Sequence, residues 1–142
     1  AMSSPMRSIH VVAAVITDAR GRILLNRRTE NRDMAGLWEF PGGKREAGES
    51  DEAALMREIE EELAVALKPD TLAFACEFSA QADGKPQGVN VRLRCYTGEA
   101  DGTPVASAEI AELRWLDSRH MAEISPVSRL LFAWLVEQQL IR

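Results

Sequence analysis

The sequence predicts an α+β fold, with helices packed on a mixed sheet. Its apolar segments are of two kinds: short β-branched runs of strand length, and longer stretches with helical spacing. The two kinds do not alternate as strand–helix–strand units, which argues against a purely parallel sheet. A length of 142 residues suits one domain with a core of its own.

Ala1-Met2-Ser3-Ser4-Pro5-Met6 reads as a cloning scar or frayed tail, leaving residues 7–142 as a single domain. His10 to Thr17 is a β-branched run, expected as a fully buried strand. Asp18-Ala19-Arg20-Gly21 turns it back, so Arg22 to Arg28 is expected as its hairpin partner, with Ile23, Leu24 and Leu25 entering the core. Leu37 to Phe40 is a short strand ended by Pro41-Gly42-Gly43. From Ser50, a suitable N-cap, the chain is helical to about Ala64. Leu72 to Ser79 and Val89 to Thr97 form an antiparallel pair around the turn-rich Asp83 to Gly88, and Leu113 to Leu116 is a last strand. Pro126 to Ile141 carries Leu130, Leu131, Trp134 and Leu135 at helical spacing, with proline allowed in the first turn.

Composition narrows the function. The formal net charge is −5 and there is no long Lys/Arg run, so a nucleic-acid polymer is not an expected partner. No segment reaches the roughly 20 apolar residues of a membrane span. No secretory leader is visible, and a cytoplasmic location is expected. Cys76 and Cys95 belong to no CxxC or Cys/His cluster, which disfavours zinc and leaves two buried free thiols as the expectation.

The informative segment is Gly43 to Val65. On a wheel of about 100° per residue, Leu55, Met56, Ile59 and Leu63 form a core-facing stripe. Glu58, Glu61 and Glu62 share the arc beside it, because residues three and four apart lie on one face. Like charges so placed repel. At 4 Å a pair costs about 1 kcal/mol in bulk water and nearer ~4 at an effective dielectric of 20. Hard divalent cations resolve the conflict, since Mg²⁺ takes one or two carboxylates together with substrate phosphates. Arg57 can hold a carboxylate through a bidentate fork, and Gly42-Gly43 lets the backbone come close to the helix. A glutamate-rich helix is more often a solvated face, and Asp51, Glu52 and Glu60 are read that way.

The full spacing sets the others apart. Gly43 is followed after five residues by Glu49, after seven more by Arg57-Glu58, then aliphatic Ile59, Glu61-Glu62 and aliphatic Val65. This resembles the Nudix box: Gly, five residues, Glu, seven residues, Arg-Glu, an aliphatic, any residue, Glu-Glu, any residue, Gly, an aliphatic. Six glycine or charged positions match. At about 6% usage each, chance gives that on the order of once in 10⁵ chains of this length. Ala64 stands where the family has its late glycine, a residue that ends the helix and holds no metal. Gly36-Leu37-Trp38-Glu39-Phe40-Pro41-Gly42-Gly43-Lys44 is similar to the lead-in of the MutT-like branch, whose members hydrolyse nucleoside triphosphates. Similarity runs over nearly the whole chain.

The resemblance implies an α/β/α sandwich with a central mixed sheet, Mg²⁺ with Mn²⁺ able to replace it, and hydrolysis of a small nucleotide by a monomer or homodimer. Glu58, Glu61 and Glu62 would be metal ligands, with the Gly43 carbonyl as a further one and Glu61 counted also among the catalytic groups. Glu49 and Arg57 would orient that set. Metals on the phosphates would offset the acidic balance of the chain and activate water as the nucleophile. Glu109, six residues before Trp115, matches the family's general base outside the box; Glu112 or a box glutamate is the alternative. Arg28 would hold a phosphate, or is a solvated strand-end arginine. Phe40 and Trp38 would flank the base, or are core. Ser128 stands where an oxidised-guanine enzyme of this branch reads its base with Asn, and a hydroxyl cannot make the paired contact of an amide. Two other outcomes are carried forward: a Nudix enzyme for another nucleoside diphosphate-linked substrate (a nucleotide sugar, dinucleotide polyphosphate or ADP-ribose), and a non-catalytic nucleotide sensor.

Overall fold

Along the first strand, alternate side chains enter opposite cores. Val12, Ala14 and Ile16 go to one, Ala13 and Val15 to the other. A strand buried on both faces needs apolar residues at every position, which is why His10 to Thr17 shows no polar alternation. The computed structural model describes residues 7–28, 37–81, 87–107 and 110–141, with the side chains of Arg7 and Arg28 outside that description.

The strands are β1 (Arg7–Val15), β2 (Ile23–Arg28), β3 (Trp38–Glu39), β4 (Gly42–Lys44), β5 (Ala66–Leu67), β6 (Ala73–Gln81), β7 (Val89–Thr97), β8 (Ala100–Asp101) and β9 (Ile110–Leu116); the α-helices are α1 (Asp51–Leu63) and α2 (Pro126–Glu137). A four-stranded sheet runs β4-β1-β7-β6 and a three-stranded one β3-β2-β9, with β5-β8 as a small pair. β1 lies parallel to β7, from Arg7↔Val89 to Val15↔Thr97, while β4 and β6 join antiparallel. The sheets are therefore mixed. Leu55, Ile59 and Leu63 of α1 pack with Val12, Ala14 and Leu24; Leu131, Phe132 and Leu135 of α2 pack with Ala13, Ile23 and Leu25. Helices thus cover both faces of the sheet layer, as an α/β/α sandwich requires. Among the described residues no helix is long and apolar enough to cross a membrane.

Three expectations need correction. The turn after β1 forms, with Asp18 Oδ1 accepting from the backbone of Arg20 and Arg22 at 3.0 and 2.8 Å. Yet β1 and β2 are not a hairpin beyond the bridge Thr17↔Ile23. Both edges of β1 are already taken, by β4 and β7, so β2 passes into the other sheet. Second, Pro41-Gly42-Gly43 does not simply end a strand, because Gly42–Lys44 forms one. Gly42 has φ +151°, and a Cβ there would stand 2.0 Å from the Val12 carbonyl oxygen, so only glycine lets β4 lie this close to β1. Third, α2 stops at Glu137 and not at Ile141. Gln139 turns left-handed at φ 59°, and Ile141 folds back to 6% exposure. Leu130 is exposed, and Phe132 takes the core place beside Leu131.

Helix α1 begins as expected, with Ser50 Oγ accepting from Ala53 N at 3.1 Å. It ends at Ala64, whose φ of 55° and ψ of 29° lie in the left-handed region. An alanine there is strained, whereas glycine is not. Ala64→Gly is expected to raise the unfolding free energy by about 1 kcal/mol, read from denaturant unfolding. An equal or lower value would show the turn to be unstrained. Cys76 and Cys95 face one another across β6 and β7 as free thiols, Cys95 buried and Cys76 half-buried.

Candidate active site

Burial of Ile59 and Leu63 lays α1 against the sheet and turns its carboxylates toward β4. Glu58 comes to rest over Gly43, where a Cβ would meet its carboxylate carbon at 2.4 Å. One turn later Glu62, 7% exposed, accepts from the backbone N–H of Gly42 at 2.9 Å through Oε1. Two glutamates of one helix face therefore reach the Gly42-Gly43 backbone. Glu61 stands outside them, with its side chain 60% exposed.

Arg57 binds this set together. Its Nε and Nη2 donate to the two oxygens of Glu49, each at 2.8 Å, in a bidentate fork. Nη1 donates to Glu58 at 2.9 Å and lies 3.6 Å from Glu61, and Nη2 also reaches the Lys44 carbonyl at 3.2 Å. The fork holds the Glu49 carboxyl down from the ordinary 4.5 to about 2, helped by the backbone N–H of Glu46. A carboxyl lowered on folding stabilises the folded state above its unfolded value and loses that contribution as pH falls through its folded value. Between pH 4.5 and about 2, then, the wild-type Tm should fall more steeply than that of Glu49→Gln. Equal slopes in thermal melts across that window would remove this pair from the acid limb.

The donor set is made of carboxylate oxygens, with glycine backbone beneath Glu58 where a side chain would fill the space. That chemistry fits a hard divalent ion. Among the described residues no three His, Cys, Asp or Glu side chains already converge into a ligand cluster. Glu58 and Glu62 would hold the ion, with Glu61 turning in to join them. Glu109 and the Arg28 side chain lie outside the described residues. The loop preceding Glu109 is tied to the same helix, since Val105 N donates to the Leu63 carbonyl at 2.8 Å and Ser107 N to that of Glu62 at 2.9 Å.

Glu112 is occupied, pairing with Arg27 at 2.9 Å and with Arg114. Those two arginines flank the Trp38 ring at 5.7 and 5.4 Å, and Trp38 is 4% exposed. Phe40 is buried against Phe132, ring centroids 6.4 Å apart, and Ser128 is half-buried on α2. An open cleft of about 460 Å³ runs between β1 and the loop after β4, with His10, Lys44 and Arg45 on its wall beside Glu49.

Asp51 overturns its reading as a solvated side chain. It is 10% exposed and accepts from Arg45 Nη1 at 3.0 Å, from Tyr96 OH at 2.8 Å and from Arg94 Nε. Only its place after the N-cap was visible in sequence. Its partners come from two other segments, and no local pattern announces them.

The family model of the NUDIX domain matches residues 7–135. The chain belongs to the NUDIX family. It is 31% identical over 137 residues to a MutT-like protein of Streptomyces ambofaciens, covering 94% of this chain and 80% of that one. A shorter, stronger similarity is to the CTP pyrophosphohydrolase of Escherichia coli (strain K12), 53% over 60 residues, or 42% of this chain and 44% of that protein. The chain spans about half the length of the curated relatives it matches in this second way. In structure it is similar to the E. coli ORF135 protein, with TM-score 0.74 and 31% identity over 94% of each chain. NUDIX hydrolases in general use divalent ions, in keeping with the all-oxygen donor set described above.

Proposed function

We propose that this NUDIX chain hydrolyses a nucleoside triphosphate to a nucleoside monophosphate and pyrophosphate, with Mg²⁺ or Mn²⁺ as cofactor, on a cytoplasmic nucleotide pool. One observation carries the reading: the Arg57 bridge joins Glu49, Glu58 and Glu61 beside the Gly42-Gly43 backbone that Glu58 and Glu62 reach. A sensor has no need of such a charge-rich arrangement.

When bound, the ion would neutralise phosphate charge and make water a better nucleophile. In this reading Glu58, Glu61 and Glu62 hold it, aided by the Gly43 carbonyl, while Arg57 and Glu49 keep Glu58 in place. Glu109 takes the proton of the attacking water. The water oxygen bonds to phosphorus, the P–O bond of the α–β anhydride breaks, and the leaving product, monophosphate or pyrophosphate, carries away the electron pair. Glu112 is the weaker choice of base, because Arg27 and Arg114 already hold its carboxylate. Arg28 and the cations along the open cleft, Lys44 and Arg45, meet the phosphates. Phe40 offers the base little surface, being buried. Ser128 offers a single hydroxyl, so the reading carries no selectivity for oxidised purines. The whole of residues 7–142 acts as one domain.

The test is a hydrolysis screen with Mg²⁺ over a nucleotide panel that includes CTP, 8-oxo-dGTP, nucleotide sugars, dinucleotide polyphosphates and ADP-ribose. Release of monophosphate and pyrophosphate from a triphosphate is the expected result. Preference for a sugar-linked or dinucleotide substrate would replace the proposed substrate class, and tight binding without turnover would make the chain a sensor.

A further inference from the structure

We propose that Asp51, at one of the unspecified positions between Glu49 and Arg57 of the box, is a positioning residue that holds the carboxylate helix in register and thereby sets the affinity for the divalent ion. The inference rests on the metal site proposed above.

Helix α1 is pinned to the four-stranded sheet near both ends. Toward its C-terminus the pin is Glu62 on the backbone N–H of Gly42. At its N-terminus the pin is Asp51, on Arg94 and Tyr96 of β7. Arg94 is held in turn by Glu77 of β6 at 2.8 Å, and its guanidinium lies 4.5 Å from the centre of the Phe74 ring. That pin therefore reaches across two strands. Burial works against ionisation of Asp51, but the hydrogen bonds from Tyr96 and Arg94 outweigh it and keep the carboxyl below its ordinary value. A negative group in the first turn also meets the positive end of the helix dipole.

Asp51 closes the Glu49 loop as well. The loop leaves β4 with Arg45 N donating to the His10 carbonyl at 2.9 Å, and it returns where Arg45 Nη1 meets Asp51 at 3.0 Å. Glu49 lies inside this closed loop and takes both donors of the Arg57 fork. One carboxylate thus fixes the start of the helix and the segment that presents Glu49.

A helix moves as a rigid rod, and Glu58 and Glu61 lie roughly 10 and 15 Å along it from Asp51 at about 1.5 Å per residue. With Asp51 neutralised, the helix start loses its charged tie to the sheet, while Glu62 and the buried Leu55, Ile59 and Leu63 still hold the later turns. A small tilt of the rod about that end then moves Glu58 off its place over the Gly43 backbone and away from Glu49. Loss of a residue that orients metal ligands weakens binding by roughly 10- to 100-fold.

The experiment is a Mn²⁺ titration of the intact protein, followed by the electron paramagnetic resonance signal of the free ion, without substrate. Asp51→Asn is expected to weaken Mn²⁺ binding about tenfold. Tyr96→Phe, which removes one of the Asp51 donors, should shift it in the same direction by about threefold, and Asp51→Glu should recover part of the loss. A purely structural role would lower Tm and leave the dissociation constant in place. Wild-type affinity in folded Asp51→Asn overturns the inference alone. If that variant does not fold, unchanged affinity in Tyr96→Phe does the same. Absence of Mn²⁺ binding by the wild type would instead sink the metal site, and this inference with it.

Discussion

Glu61→Gln and Glu62→Gln are each expected to lower turnover roughly 10²- to 10³-fold while the fold survives. The amide keeps the size of the side chain and removes the charge that a hard ion requires. Survival of the fold follows from different features at the two positions. Glu62 is buried, but toward Gly42 N it acts as an acceptor, a part that the amide oxygen can play. Glu61 is largely exposed, and its loss relieves repulsion from Glu58 three residues earlier. Steady-state hydrolysis of the best substrate from the panel, with thermal melts in parallel, gives both numbers. Wild-type turnover in the two variants would take these carboxylates out of the site.

Gly42→Ala and Gly43→Ala should fail in different ways although they are neighbours. At Gly42 the new methyl meets backbone, 2.0 Å from the Val12 carbonyl oxygen and 2.9 Å from the Ala13 Cα, in a φ that alanine rarely adopts. Neither obstacle can turn aside, so β4 must separate from β1. Strain and overpacking together suggest a loss of about 3 kcal/mol or more, or roughly 10 °C in Tm for a domain of this size. At Gly43 the methyl meets the Glu58 carboxylate, at 2.4 Å from its carbon and 2.4 and 2.7 Å from its oxygens. That is the far end of a flexible side chain, which can swing away at a stability cost of about 1 kcal/mol. Glu58 then leaves its place, and turnover should drop by about 10²-fold. Thermal melts and turnover on both variants separate the two. A stable Gly42→Ala, or a fully active Gly43→Ala, would contradict the packing described.

The elements that could be read in sequence were those whose signal is local. β1, β6, β7, β9 and the two helices show in their apolar runs, and Ser50 announces the start of α1. The box gave Glu49, Arg57, Glu58, Glu61 and Glu62 as one set, and the structure brings Arg57 onto Glu49 and Glu58. What could not be read depends on partners remote in the chain. Gly42–Lys44 looks like a terminator because glycine is a poor strand former by itself; only the close approach of β1 makes it a strand. The passage of β2 into a separate sheet follows from the edges of β1 being occupied by segments still to come. Asp51 resembles any first-turn aspartate until Arg94 and Tyr96 arrive. Leu130 fits the helical period as well as Phe132 does, and the face that α2 turns to the sheet chooses between them.

The parallel pairing of β1 with β7 also governs how the chain can fold. The two strands are about eighty residues apart, so the central ladder must close a very long loop before any of its hydrogen bonds form. Helix α1 can begin from local contacts, but its apolar stripe has no finished sheet to rest on until β7 emerges. Folding dominated by such distant pairs is slow, on the millisecond-to-second scale. In that interval Leu55, Ile59 and Leu63 remain open to water and to other chains, so the apolar stripe of the carboxylate helix waits unprotected during synthesis.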